Sequence, residues 1–272
     1  MENRITVTLS GGVADVRLNR PEKLNALDHA MFAALVATGE RLKHEPGLRA
    51  VVLSGEGRAF CAGLDMGRFE KMAEPDNASV SAASNAERLG KRSHGDANSS
   101  QQAALVWRQI PVPVIAAVHG AALGGGFQVA LGADIRFVAP DTKMSILEIK
   151  WGLVPDMGGT VLMRQLARAD VIRELTFSGR IFSGTEALAY GFATRVSERP
   201  HEDAMAYARE VADKSPHTIR AAKRLLKLSE SADDASLLLA ESNEQIGVMG
   251  GPNQVEAVAA ALQKRPPVFV DP

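Results

Sequence analysis

Two stretches of this chain repeat one pattern: a short apolar strand, a loop of small residues, then a helix. The first runs from Ala50 to Phe69 and carries Phe60-Cys61-Ala62-Gly63. The second runs from Val114 to Leu131 and carries Ala122-Leu123-Gly124-Gly125-Gly126. Unbroken apolar strands are buried strands, so each unit belongs inside a sheet covered by helices. A small-residue loop that opens a helix leaves main-chain N–H groups uncovered, and helix N-termini favour developing negative charge. Brought together, two such loops would bracket a single oxygen atom.

The rest of the chain fits an α/β class. Ile5 to Leu9 and Val13 to Leu18 alternate around Gly11-Gly12, which predicts a hairpin. Asn19-Arg20-Pro21 breaks the strand. A helix follows with Leu27, Met31, Leu35 and Leu42 on one side and Asn25 or Asp28 as its cap. From Glu70 to Gln102 the pattern fades into Ala, Ser, Asn and charge, the composition of a mobile or weakly helical insertion. Asp134 to Val138 reads as another strand. From about Gly159 the chain is largely helical, with Ser183-Gly184-Thr185-Glu186 and Ser215-Pro216 as helix starts and Ile219, Ala222 and Leu226 as an apolar face. Asp233 to Val248 and Pro252 to Leu262 form the last helices.

Length and charge remove several classes. With 272 residues, 46% hydrophobic and 23% charged, the chain makes one large domain or a main domain with a helical extension. A net charge of -1 gives no basic field to hold nucleic acid. Cys61 is the one cysteine, so no internal disulfide forms. Met1 to Ser10 lacks a signal-peptide core, and no run approaches the ~18 apolar residues of a membrane span. The expectation is a cytoplasmic protein. The glycine cluster would need a third glycine at Val129 for a dinucleotide fingerprint, and no Walker lysine follows it. H-E-x-x-H, C-x-x-C and G-x-S-x-G are all missing, and the six histidines show no metal spacing, so no metal site is expected.

Asn19-Arg20-Pro21 with Asn25-Ala26-Leu27, Ala59-Phe60-Cys61-Ala62-Gly63-Leu64-Asp65, Val118-His119-Gly120-Ala121-Ala122-Leu123-Gly124-Gly125-Gly126, and Gly152-Leu153-Val154-Pro155 ending in Gly158-Gly159-Thr160 occur in that order. In that order they resemble the enoyl-CoA hydratase/isomerase (crotonase) superfamily, and the resemblance covers nearly the whole chain. It implies a crotonase-like spiral of β-β-α turns over 1–195 and a C-terminal helical region over 196–272 for oligomerisation and site cover. It further implies a homotrimer or dimer of trimers. Coenzyme A, as part of the substrate rather than a resident cofactor, would lie along Lys23, Leu24 and Ala26 and along Ala62, Gly63, Leu64 and Asp65. The oxyanion hole would be the N–H groups of Ala62 and Gly125. A preorganised donor of that kind is typically worth about 3 kcal/mol of barrier.

Family hydratases carry two glutamates at the thioester. Here the later position is Glu148 and the earlier one is Gln128. An amide cannot exchange a proton at neutral pH, so ordinary hydration loses one of its two proton carriers. Asp156 stands where dienoyl-CoA isomerases of the superfamily carry a catalytic aspartate, and single-glutamate isomerases use the position of Glu148. One carboxylate can take a proton from one carbon and return it to another, which ranks isomerisation ahead of hydration. A thioester-binding protein without chemistry is the remaining alternative. Cys61 is expected to be a buried hydrophobe and His119 a satisfied ring at a strand end. Trp151 and Met157 read as core or pocket wall, and the basic stretch Arg220, Lys223, Arg224, Lys227 as a solvated face.

Overall fold

The computed structural model describes residues 4–73, 86, 87 and 89–272. Strands β1 (Ile5–Ser10) and β2 (Val13–Leu18) form the expected antiparallel hairpin, with Gly11 and Gly12 both at positive φ in the turn. Strands β3 (Ala50–Gly55), β4 (Val114–Val118), β6 (Ile135–Val138) and β8 (Arg195–Val196) add to it in parallel, giving the order β1-β2-β3-β4-β6-β8. A second, smaller ladder pairs β5 (Ala121–Leu123) with β7 (Lys143–Ser145), and single bridges extend it from Cys61 to Ala122 and from Met144 to Phe182. Successive turns of chain therefore visit the large sheet, then the small ladder, then a helix. This is the expected spiral of β-β-α turns. β8 spans only two residues, too few to leave a periodic signal in the sequence.

The helices are α1 (His29–Leu42), α2 (Met66–Ala73), α3 (Ser99–Gln109), α4 (Gly125–Leu131), α5 (Gly159–Met163), α6 (Ala169–Ser178), α7 (Gly184–Tyr190), α8 (Pro200–Ala212), α9 (Pro216–Leu228), α10 (Asp234–Val248) and α11 (Pro252–Gln263). Every residue of β3 and β4 is buried, and period-2 alternation sends them to opposite faces. Ala50, Val52, Ile115, Ala117 and Phe137 meet α8 through Ala204, Ala208 and Ala212, small residues that let helix and sheet approach closely. On the other face Val51, Leu53, Val114 and Val118 join Met31, Leu35, Val106, Trp107 and Phe127 in the main core. Among the described residues no helix is long and apolar enough to cross a membrane.

Two local expectations change, and a third is decided between its alternatives. Of the stretch Glu70 to Gln102, residues 74–85 and 88 lie outside the described residues. Its end, however, is a firmly started helix: Asn98 accepts from Gln101 N, and the Gln101 side chain accepts from Asn98 N, both at 2.9 Å. The α9 face named from sequence is not its buried one, because Ala221 and Pro216 are buried while Leu226 is 70% exposed. Lys223 reaches under that side of the helix instead, donating to Val112 O at 2.8 Å. Finally, Asp28 caps α1 by accepting from Met31 N at 2.7 Å, and Asn25 does something else.

Asn25 is fully buried at φ 57 and ties three pieces of loop together. Its side chain accepts from Arg20 N at 2.8 Å and donates to Glu56 O at 2.9 Å and Ala59 O at 2.8 Å. Replacing it by alanine takes the donor from two main-chain carbonyls, that of Ala59 in a buried bond and that of Glu56 in a part-buried one, and the acceptor from Arg20 N. We expect Asn25→Ala to lower the unfolding free energy by about 2–3 kcal/mol, read from the urea midpoint. A loss under about 0.5 kcal/mol, the range of ordinary surface changes, would show that the loops hold without it.

Candidate active site

The two echoed loops are joined by main-chain hydrogen bonds. Cys61 N donates to Ala121 O at 2.9 Å and Leu123 N donates to Cys61 O at 3.1 Å. Glycine is required where they touch: a Cβ at Gly126 would lie 2.2 Å from Cys61 O, and one at Gly63 would lie 2.6 Å from Leu123 O and 3.7 Å from Gly125 N. The start of α4 thus sits directly against the Ala62–Leu64 turn. Cys61, wholly buried, donates its thiol to Asn25 O, and burial pushes that thiol up to about 12, so it acts as the small hydrophobe expected.

The convergence is as expected, but one of the two amides is not. Ala62 N–H is already given to Leu24 O at 2.9 Å. Its neighbour two residues on is placed differently. In the bridge between Leu27 and Leu64 the bonds run from Leu27 N to Gly63 O and from Asp65 N to Leu27 O. In such a parallel bridge the Leu64 N–H itself points the other way, and among the described residues it meets no acceptor. Gly125 N–H opens α4, where no intrahelical acceptor exists. The open pair is Leu64 and Gly125, which replaces the pair Ala62 and Gly125. No local sequence signal separates the two amides, because the Leu27–Leu64 pairing that decides between them joins residues distant in sequence.

Both open amides belong to a cavity of about 360 Å³ walled by Leu27, Phe32, Met66, Trp151, Leu153 and Met157, with Glu148 and Asp156 also on its lining. Ala62 and Gly63 line it too. Lys23, Leu24 and Ala26 do not, and stand behind the turn, where Leu24 O holds Ala62. Asp65 faces away from the cavity into an ion pair with Arg20, which also donates to Ala26 O at 3.2 Å. Arg20 holds the Asp65 carboxyl below its ordinary range, and Asp65 accepts from Gly67 N at 2.9 Å to start α2. Asp65 is a structural clamp. His119 is also structural, its ring 3.0 Å from Gly57 O.

Glu148 opens a short 3-10 turn (Glu148–Trp151) and is 9% exposed. One carboxylate oxygen, Oε1, accepts from Gln128 Nε2 at 2.6 Å, while Oε2 is buried with no hydrogen-bond partner. Gln128 is clamped in turn: its Oε1 accepts from Met157 N at 2.9 Å and Gly159 N at 2.8 Å. Those two N–H donors fix which end of the amide is oxygen, and therefore that Gln128 donates to Glu148. Burial first, and the Asp156 charge next among the raising influences, push the Glu148 carboxyl above its ordinary range. Asp156 is exposed at the cavity rim, and the cap of α5 is Gly158 with no side-chain bond, so Asp156 does not cap that helix. The arrangement offers two N–H donors for an oxyanion and one buried carboxylate of raised basicity beside them.

A sequence model of the enoyl-CoA hydratase/isomerase family matches residues 8–271. The chain is 32% identical over 262 residues to the mitochondrial Delta(3,5)-Delta(2,4)-dienoyl-CoA isomerase of Mus musculus, covering 93% of this chain and 77% of that one. It is 30% identical over 266 residues to enoyl-CoA hydratase domain-containing protein 2, mitochondrial, of Homo sapiens, covering 95% and 86%. Among solved structures, an enoyl-CoA hydratase of Mycobacterium smegmatis superposes with a TM-score of 0.83 at 27% identity, covering 98% of this chain and 99% of that one. One from Bacillus anthracis gives 0.84 at 28%, covering 98% of each.

Because folding raises the pKa of Glu148, the folded protein gains from this group below the ordinary value of 4.5 and loses that gain as pH climbs through the raised folded value. Glu148→Gln carries no such titration. Its stability relative to the native chain should therefore improve as pH rises from about 4.5, the reference value, toward neutrality. Thermal unfolding of both proteins across that window tests this, and a constant difference would mean that Glu148 is solvated.

Proposed function

The chain belongs to the enoyl-CoA hydratase/isomerase family, and we propose that its reaction is migration of a carbon–carbon double bond in an enoyl-CoA thioester with Glu148 as the base. The state of Gln128 supports this reading. Its carbonyl already accepts two main-chain N–H groups and its amide donates to Glu148. It has no acceptor left to hold and orient a water for attack. A single buried carboxylate remains, and a double-bond shift needs one.

In the proposed reaction the thioester oxygen takes hydrogen bonds from the N–H groups of Leu64 and Gly125. Ionised Glu148 removes a proton from the carbon activated by conjugation, and the C–H electron pair flows into a dienolate whose charge rests on that oxygen. The carboxylic acid so formed returns the proton to the other end of the conjugated system. The double bond has moved, Glu148 is ionised again, and no atom has been gained or lost. Burial strengthens Glu148 as a base, and the Asp156 charge at the rim adds to that effect. Asp156 is the assisting group of this reading. Coenzyme A would run along Ala62, Gly63 and Leu64, with Lys23 on the exposed side of the same loops.

We also read the C-terminal helices as the means of self-association into a trimer or dimer of trimers. Helix α10 buries no residue in its own chain, and Leu238, Leu239 and Ile246 are 63%, 63% and 74% exposed. Apolar faces of that kind are covered by partners.

Two measurements test these readings. Purified protein incubated with a short 3-enoyl-CoA should give a product of unchanged mass, and Glu148→Gln should lower kcat by about 10²–10⁴-fold. A 3-hydroxyacyl product from a 2-enoyl-CoA, heavier by one water, would replace isomerisation with hydration. Light scattering on an eluting column should show a multimer that Ile246→Glu reduces in mass, and a native monomer would remove the oligomeric reading.

A further inference from the structure

A second cavity of about 410 Å³ runs between α9 and the N-terminal ends of β4 and β6, whereas Glu148 follows β7 beyond their C-terminal ends. Its volume falls in the range of ~300–1,000 Å³ typical of small-molecule sites. Its walls are apolar, including Leu131, Leu162, Leu166, Ile219 and Leu226. Four cations line it, Arg108, Arg136, Lys223 and Lys227, against two carboxylates, Asp134 and Glu230.

Local partners account for most of the basic stretch on α9. Arg220 donates to Leu48 O at 3.1 Å, Arg224 pairs with Glu244 at 2.6 Å, and Lys223 pairs with Asp134 at 2.6 Å. Arg108 pairs with Glu230. The Lys227 side chain has no hydrogen bond or ion pair among the described residues, and it faces other cations. Burial first, then Arg108 and Lys43, hold its ammonium below the ordinary lysine range. A positive charge without a local counter-charge thus stands on the exposed lining of an apolar trough. A neutral ligand would leave that repulsion in place, and a polyanion would desolvate charge against leucine walls. A single negative charge on an apolar chain satisfies the cation and the walls together.

We propose that this groove binds an amphipathic monoanion, a medium-chain fatty carboxylate, with its headgroup at Lys227 and its chain along Leu131, Leu162, Leu166 and Leu226.

Calorimetric titration of the full-length protein with decanoate tests this, using decanol as the uncharged control and a coenzyme A thioester as competitor. One decanoate per chain should bind with the thioester present, more tightly than decanol. Lys227→Gln should weaken it about fivefold, the scale of one partly exposed charge contact. Leu226→Asp, at an exposed position that leaves the core intact, should abolish it, and turnover by both variants should match the native protein. Equal binding of decanol, displacement by the thioester, or unchanged affinity in both variants would overturn the proposal. So would absence of binding together with a fall in oligomeric mass in Leu226→Asp, because a second copy of the chain would then be the occupant.

Discussion

The bonds from Cys61 N to Ala121 O and from Leu123 N to Cys61 O join helix starts that stand about sixty residues apart in sequence. Without them the Leu64 and Gly125 amides have no reason to share a cavity. Each loop alone is an ordinary strand-to-helix turn with N–H groups left over by geometry. Paired, they supply two donors that cannot relax away, since side chains at Gly63 and Gly126 would collide with main-chain oxygens. Preorganisation here is a property of the backbone and is secured by the absence of side chains.

The second constraint is electrostatic. A buried carboxylate invites either an opposite charge or a neutral donor. Glu148 has the neutral donor, Gln128, on one oxygen and nothing on the other. An arginine in that place would hold the carboxylate ionised and weaken it as a base. A second carboxylate would face it across 2.6 Å and be driven to share a proton. The amide leaves Glu148 as the buried carboxylate of the cavity, with Asp156 exposed at its rim, and orients it. By gripping Met157 N and Gly159 N, it also fixes the turn that carries Asp156.

Much of this was legible in the sequence because the signals were local. Gly11-Gly12 marks the hairpin, apolar runs mark β3 and β4, and Ser183 with Glu186 marks the start of α7. Motif order carried the family and the positions of Glu148, Gln128 and Gly125. What escaped was set by contacts distant in sequence. Ala62 and Leu64 are equally plausible as small-loop amides until the Leu27 pairing shows which one is engaged. Asp65 looks like a ligand group until Arg20 is found beside it. The buried side of α9 departs from its apolar periodicity, which reports only which residues are apolar, whereas the bonds of Lys223 to Asp134 and to Val112 O join residues far apart in sequence.

An unsatisfied buried carboxylate oxygen is a standing cost of about 1–3 kcal/mol. A core of this quality could have removed it with one hydroxyl or amide in place of an apolar neighbour. The oxygen left bare is Oε2 of a residue lining the cavity shared with the Leu64 and Gly125 amides, whereas its twin is bonded at 2.6 Å. Nearly every other buried polar side-chain atom among the described residues is paired, Ser54 Oγ and Arg220 Nε being the exceptions. A fold that satisfies its polar groups this thoroughly, yet leaves one carboxylate oxygen unpartnered in the cavity that holds two open amides, concentrates its unmet polar capacity at the place where the proposed reaction needs a proton acceptor.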